Sequence, residues 1–225
     1  MRITQRDVRL LRDLALSHLL ARDQILELGY FGSVTRLNFR LRELRRAGLV
    51  RVLSTPFHGQ MLYVVGPRAL PVIGERIARL VRDRQSSPRF LRHALAATGI
   101  RTTLMKTGGK DWRFEPQLHH HFWHGRRELV LKPDGFVRLA GIPTFIEADM
   151  GHASMERLRQ KLRCYDALRA SGEDLKGFGF SSFEILVVTT GGLRKRSMIR
   201  QLDATVPLSI KTFEELAIDL PGEWS

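Results

Sequence analysis

The chain has 225 residues, 43% hydrophobic and 27% charged, which excludes collagen-like and disordered classes and predicts one or two globular domains. A single cysteine, Cys164, excludes an intrachain disulfide and a cysteine-based zinc site. Lys and Arg number 37 against 23 Asp and Glu, a net charge of +14 that suits a polyanionic partner.

The opening MRITQRDVRL has no apolar signal-peptide stretch, and no apolar run approaches the roughly 18–20 residues that span a bilayer. A cytoplasmic protein without a membrane partner is expected. Thr4 and Asp7 resemble a capping box, and Val8, Leu11, Ala15 and Leu19 recur at helical spacing, predicting a first helix to about Ala21. Asp23 is the expected cap of a short second helix holding Ile25 and Leu28. Ser33 is the expected N-cap of a third helix with Val34, Leu37, Leu41 and Leu44 as its buried stripe, ended by Gly48. Leu49 to Leu53 and Met61 to Val65 are β-prone runs joined by turn residues, predicting a hairpin.

Three helices and a hairpin make a winged helix-turn-helix, with the third helix placed to read DNA. The face opposite its buried stripe holds Thr35, Arg36, Phe39, Arg42, Glu43 and Arg46, with Arg40 on the flank. A solvated face normally mixes charge signs, and this one carries a single acid. Residues 1–85 hold 16 Arg, no Lys and 7 acids, and arginine matches phosphate and guanine bidentately. Early residues of the helix would meet base edges and later ones phosphates. His58 and Gln60 would sit at the wing tip. Phe39 suits a thymine methyl or a contact within a homodimer.

A helix from about Ile73 to Arg84 is expected next. Gln85-Ser86-Ser87-Pro88 is then the best boundary, giving a DNA-binding domain at 1–85 and an α/β domain at 86–225. Phe90 to Met105 reads as a helix. Glu128 to Leu131, Gly135 to Ala140 and Thr144 to Asp149 read as strands. A helix over Ala153 to Arg169, a buried strand over Glu184 to Thr190, a helix over Arg194 to Leu202 and a strand over Ser209 to Thr212 follow. The fold class is α/β (α+β).

If Gly135–Ala140 and Thr144–Asp149 form a hairpin centred on Gly141-Ile142, Asp134 faces Asp149 and Phe136 faces Glu147. The three carboxylates then share a side with Arg138, while Val137, Leu139, Ile146 and Ala148 form the core face. Carboxylates this close need compensation, either from a divalent cation or from basic neighbours. Lys161 borders the buried stripe of the next helix and is placed to reach them; Gln160 is a weaker candidate. His119, His120, His121 and His124 form a histidine group; on a strand, His119 and His121 would share a face and could bind a metal, although solvated histidines are the commoner outcome.

RDVRLLRDLALSHLLARDQILEL, RLNFRLRELRRAGLVR, FLRHALAATGIR and LKPDGFVRL…FIEADMGHASMERLRQKLRCYDAL, in that order, resemble the replication-relaxation family of plasmids and other mobile elements. PDG followed by a strand bearing Glu-x-Asp also resembles the PD-(D/E)xK nuclease superfamily. That resemblance implies Asp134 and Glu147 as ligands of Mg2+ or Mn2+ in a catalytic group with Asp149 and Lys161. The superfamily lysine is replaced here by Asp149, and Lys161 is its expected substitute. Two readings follow: a sequence-specific double-stranded-DNA-binding protein needing no cofactor, controlling replication, transfer or transcription, and a Mg2+-dependent endonuclease targeted by the same winged helix.

Overall fold

A computed structural model describes residues 1–54, 59, 61–80 and 87–220 of an α+β chain. His58 and Gln60 lie outside the described residues, as do 81–86 of the expected linker region. Two compact units are present, Met1–Thr102 and Thr103–Asp219.

In the first unit, α1 (Gln5–Leu16) opens with a capping box: the Thr4 hydroxyl accepts from the Asp7 N–H, and Asp7 accepts from the Thr4 N–H. The helix ends before the expected Ala21. Ser17 caps it, His18 takes a left-handed φ of 67°, and Leu20–Ala21 becomes strand β1. This turn buries Leu19 and Leu20 completely. In α2 (Arg22–Glu27) the Gln24 side chain, not Asp23, caps the N-terminus, accepting from the Ala21 N–H at 3.1 Å.

Helix α3 (Val34–Arg46) begins at Ser33, whose hydroxyl accepts from the Arg36 N–H at 3.3 Å. Leu37, Leu41 and Leu44 are its buried stripe, each worth about 1.5–3 kcal/mol of burial, while Val34 stays 41% exposed. Gly48 takes a φ of 72° and turns the chain into β2 (Val50–Leu53), which pairs antiparallel with β3 (Leu62–Val65). β1 adds to the other edge of β3, giving the order β1-β3-β2. The expected helix from Ile73 is two short ones, α4 (Leu70–Ile73) and α5 (Glu75–Leu80), broken at Gly74 with a φ of 91°. In α6 (Pro88–Lys106), Leu91, Ala94 and Leu95 pack on Leu19, Ala21 and Leu62.

The second unit holds β4 (Lys110–Phe114), β5 (His120–His124), β6 (Arg127–Leu131), β7 (Gly135–Leu139), β8 (Ile142–Asp149), α7 (Met155–Ala170), α8 (Glu173–Phe178), β9 (Glu184–Thr189), α9 (Gly191–Gln201) and β10 (Leu208–Thr212). One sheet has the order β10-β9-β8-β7-β4, and β5-β6 is a separate ribbon. β9 is parallel to both neighbours; the β7–β8 and β4–β7 pairs are antiparallel. A continuous apolar run such as EILVVT suits that central parallel position.

The β7–β8 hairpin turns one residue earlier than expected, around Ala140-Gly141 and not Gly141-Ile142. Leu139 pairs with Ile142, so Ala140 (φ 48°) and Gly141 (φ 86°) form a two-residue loop with the positive dihedrals of a type I′ turn. Such a loop matches the twist of the flanking strands, and Gly141 takes one of its two left-handed positions without strain. The shift is two residues, so side chains keep their faces but change partners. Phe136 faces Phe145, not Glu147, and the Asp134 N–H donates to the Ile146 carbonyl at 3.0 Å. Both faces of the hairpin are buried, not only the expected one. Val137 and Ile146 are fully buried on one side; on the other, Phe136 and Phe145 pack with Leu162, Tyr165 and Leu168 of α7. Gly135 is required by close approach: a Cβ there would sit 2.6 Å from the Trp112 ring.

Candidate functional site

The outer face of α3 is built by its cap and stripe. With Leu37, Leu41 and Leu44 held in the core, Thr35, Arg36, Phe39, Arg42 and Arg46 are exposed, Phe39 to 60%. Glu43, the single acid there, accepts from Arg46 one turn on at 3.1 Å. Arg40 is turned inward. Its Nε and Nη2 donate to the two carboxylate oxygens of fully buried Asp7, at 2.9 and 2.5 Å, and Nη2 also donates to the Arg2 carbonyl at 2.9 Å. Arg45, which the helical projection left aside, lines a cleft of about 590 Å³ between α3 and the β2–β3 hairpin, with Arg22, Asn38, Arg42, Met61 and Tyr63. Burial pushes the Tyr63 hydroxyl pKa up against the opposing pull of Arg22 and Arg45.

In the second unit, the expected acidic trio separates into two groups. Glu147 is buried. Its Oε2 accepts from Lys161 Nζ, and its Oε1 accepts from the Tyr165 hydroxyl at 2.5 Å. Asp134 is half-buried and accepts from the Ala148 N–H at 2.7 Å. Burial pushes the Glu147 carboxyl up to about 7; Lys161 and Tyr165 oppose this, and Asp134 adds to it. Burial also opposes the Lys161 charge, but Glu147 and Asp134 outweigh it and hold the ammonium protonated above the ordinary lysine range.

Asp149 is drawn elsewhere. Its Oδ2 accepts from Thr189 Oγ1 at 2.6 Å, and its two oxygens accept from Arg194 Nε at 3.0 Å and Nη2 at 3.2 Å. The structure thus brings Asp134, Glu147 and Lys161 together and seats Asp149 in a separate arginine clamp. Tyr165 joins the site without having been a sequence candidate; it lies four residues after Lys161, within reach on one helix face, and that spacing was the signal. Arg194 is 45 residues from Asp149 and carries no local signal.

His119 and His121 turn to separate carboxylates. His119 Nε2 lies 3.0 Å from Glu115, and His121 Nδ1 lies 3.1 Å from Glu128. Among the described residues, no group of three or more His, Cys, Asp and Glu side chains is arranged to hold a metal ion. Nor is any helix among them long and apolar enough to cross a membrane.

No curated protein matches this chain. Protein VC1899 from Vibrio cholerae, a solved crystal structure, is 17% identical over 93% of this chain, with a TM-score of 0.34. The present chain spans about half of that structure, 47% of its length. The replication-relaxation family pattern matches residues 11–180, well over half of the sequence. The chain belongs to the replication-relaxation family.

Proposed function

We propose that this chain is a sequence-specific double-stranded-DNA-binding protein of a plasmid or other mobile element, controlling replication, transfer or transcription. The observation that carries this reading is the outer face of α3, where Thr35, Arg36, Phe39, Arg42 and Arg46 are exposed above a fully packed stripe. The order of three helices and a hairpin supports a winged helix-turn-helix, whose third helix enters the major groove. Thr35, Arg36 and Phe39, near the helix start, meet base edges; Arg42 and Arg46 meet phosphates. Arg45 and Arg22, in the cleft beside the hairpin, extend the phosphate track. Arg40 acts indirectly by holding α3 on Asp7. Phe39 also suits a homodimer contact that would set two half-sites.

Selection from a pool of random duplexes tests this reading. One motif should be enriched by the wild type and blurred at a single base position by Arg36→Ala. No enrichment would contradict it.

A second reading, a Mg2+-dependent endonuclease of PD-(D/E)xK type, is favoured by one observation: Lys161 reaches Glu147 from α7, beside Asp134. Mg2+ retains several waters and takes one or two carboxylates, so Asp134 and Glu147 fit it as a donor set. Glu147 would give up a hydrogen bond to Lys161 or Tyr165. A bound metal would supply an activated water and charge stabilisation. Asp149 would hold the C-terminal end of β8 through Arg194. Incubation of supercoiled plasmid with Mg2+ or Mn2+ separates the readings. An intact plasmid fits binding alone; nicking lost in both Glu147→Ala and Lys161→Ala supports the nuclease.

A further inference from the structure

The β5–β6 ribbon presents an aromatic side chain that no part of the proposed function uses. Register pairs His121 with Val130, Trp123 with Glu128 and His124 with Arg127. Because side chains alternate, Phe122 turns inward and is buried in the core with Leu131, which fixes the ribbon to its unit. Trp123 faces outward and is 66% exposed, with Val130 on the same face. The ribbon closes through Gly125 and Arg126, with a φ of 61° at the glycine, which leaves Arg126 exposed at the turn next to Trp123, while His124 and Arg127 fall on the Phe122 side. Glu128, the acid of this face, is paired with His121. On the inner side, His124, Arg127, Gln160 and Arg163 line a cleft of about 650 Å³ floored by Leu129 and Ala167. Asp166, at the same cleft, is engaged by the N–H groups of Thr205 and Val206.

We propose that the tip of this ribbon is a second polynucleotide contact, in which Trp123 stacks on an unpaired DNA base and Arg126, at the turn, holds a flanking phosphate. An exposed indole beside a turn that carries Arg126 offers a π-face to a base and charge to its backbone. A duplex keeps its bases stacked, so the occupant is a single strand. A second copy of a chain with net charge +14 brings like charge to this tip, whereas a strand neutralises it. The inference shares with the preceding reading only the premise that the partner is DNA; it does not use α3.

The test is the anisotropy of fluorescein-labelled (dT)20 with the full chain, beside binding of the selected duplex. Trp123→Ala should weaken (dT)20 binding roughly five- to hundredfold, and Trp123→Phe should retain most of it. Arg126→Ala should lower the magnitude of the salt slope by about 0.7. Duplex binding and the thermal melt should not change in Trp123→Ala. Equal (dT)20 binding by Trp123→Ala and wild type would overturn the proposal, as would no binding by the wild type. Conversion of a dimer to a monomer by Trp123→Ala, without loss of (dT)20 binding, would assign the tip to a second copy and overturn it too. Trp123-dependent (dT)20 binding without duplex recognition would uphold this site and overturn the α3 reading alone.

Discussion

Asp7 in the first unit and Glu147 in the second are both buried carboxylates served by a basic side chain from a helix, yet they titrate in opposite directions. Asp7 accepts from the Thr4 N–H at 2.7 Å, the Thr4 hydroxyl at 2.6 Å and both ends of the Arg40 fork. Burial would raise its carboxyl, but these donors bring it down to about 2. Glu147 has Lys161 and Tyr165 as donors and Asp134 as a neighbouring acid, so burial prevails and its carboxyl stands at about 7. The presence of a cation does not decide the state; the number and geometry of donors does. The Asp7–Arg40 pair is a fixed structural pin. Glu147 can gain or lose a proton near neutral pH, as sites of chemistry do.

The largest effect expected from this comparison is at Arg40. Arg40→Ala leaves Asp7 buried without its fork and should cost about 3–5 kcal/mol in urea unfolding of the first unit. Arg42→Ala, two positions along and exposed, should change stability by less than about 0.5 kcal/mol. Equal costs would break the distinction between pin and interface. Gly135→Ala drives a Cβ into Trp112 and should destabilise the second unit by about 1–3 kcal/mol.

The two carboxylates also predict opposite pH behaviour. The folded Glu147 carboxyl lies above its ordinary 4.5, so its stabilising contribution is complete below about that pH and is lost as pH rises through about 7. Asp7 lies below its ordinary 3.8, so its contribution is present above that pH and is lost as pH falls through about 2. Glu147→Gln should therefore flatten the fall in stability between pH 5 and 8, an effect of about 1–2 kcal/mol in unfolding measured across that range. An unchanged profile would place the titrating group elsewhere. The smallest effect is at the β7–β8 turn. Ala140→Gly relieves a left-handed alanine and should stabilise by up to about 1 kcal/mol in thermal unfolding.

Much of the fold was legible because its signals are local. The stripe of α3, the cap at Ser33 and the apolar run of β9 follow from spacing within one element. β4 and β5 were missed for physical reasons. A register shift between Lys110 and Arg113 interrupts the β4 alternation, and β5 buries only Phe122 among histidines and an exposed tryptophan. The α1 end was misplaced because apolar Leu19 and Leu20 suit a helix stripe as well as a buried turn and strand. At the candidate sites, Lys161 was legible from its place beside the α7 stripe. The arginine partners of Asp7 and Asp149 were not, since Arg40 and Arg194 lie 33 and 45 residues away and are chosen by packing.

The claim that α3 is the reading helix is tested most directly by equilibrium binding of the selected duplex across a salt series, with wild type, Arg36→Ala, Arg42→Ala and Arg46→Ala side by side. The account predicts a loss of about 1–3 kcal/mol confined to one base position for Arg36→Ala. It predicts a salt slope smaller in magnitude by about 0.9 for each of Arg42→Ala and Arg46→Ala, with the melting temperature of all three unchanged. Four superimposable isotherms with one common slope would contradict it.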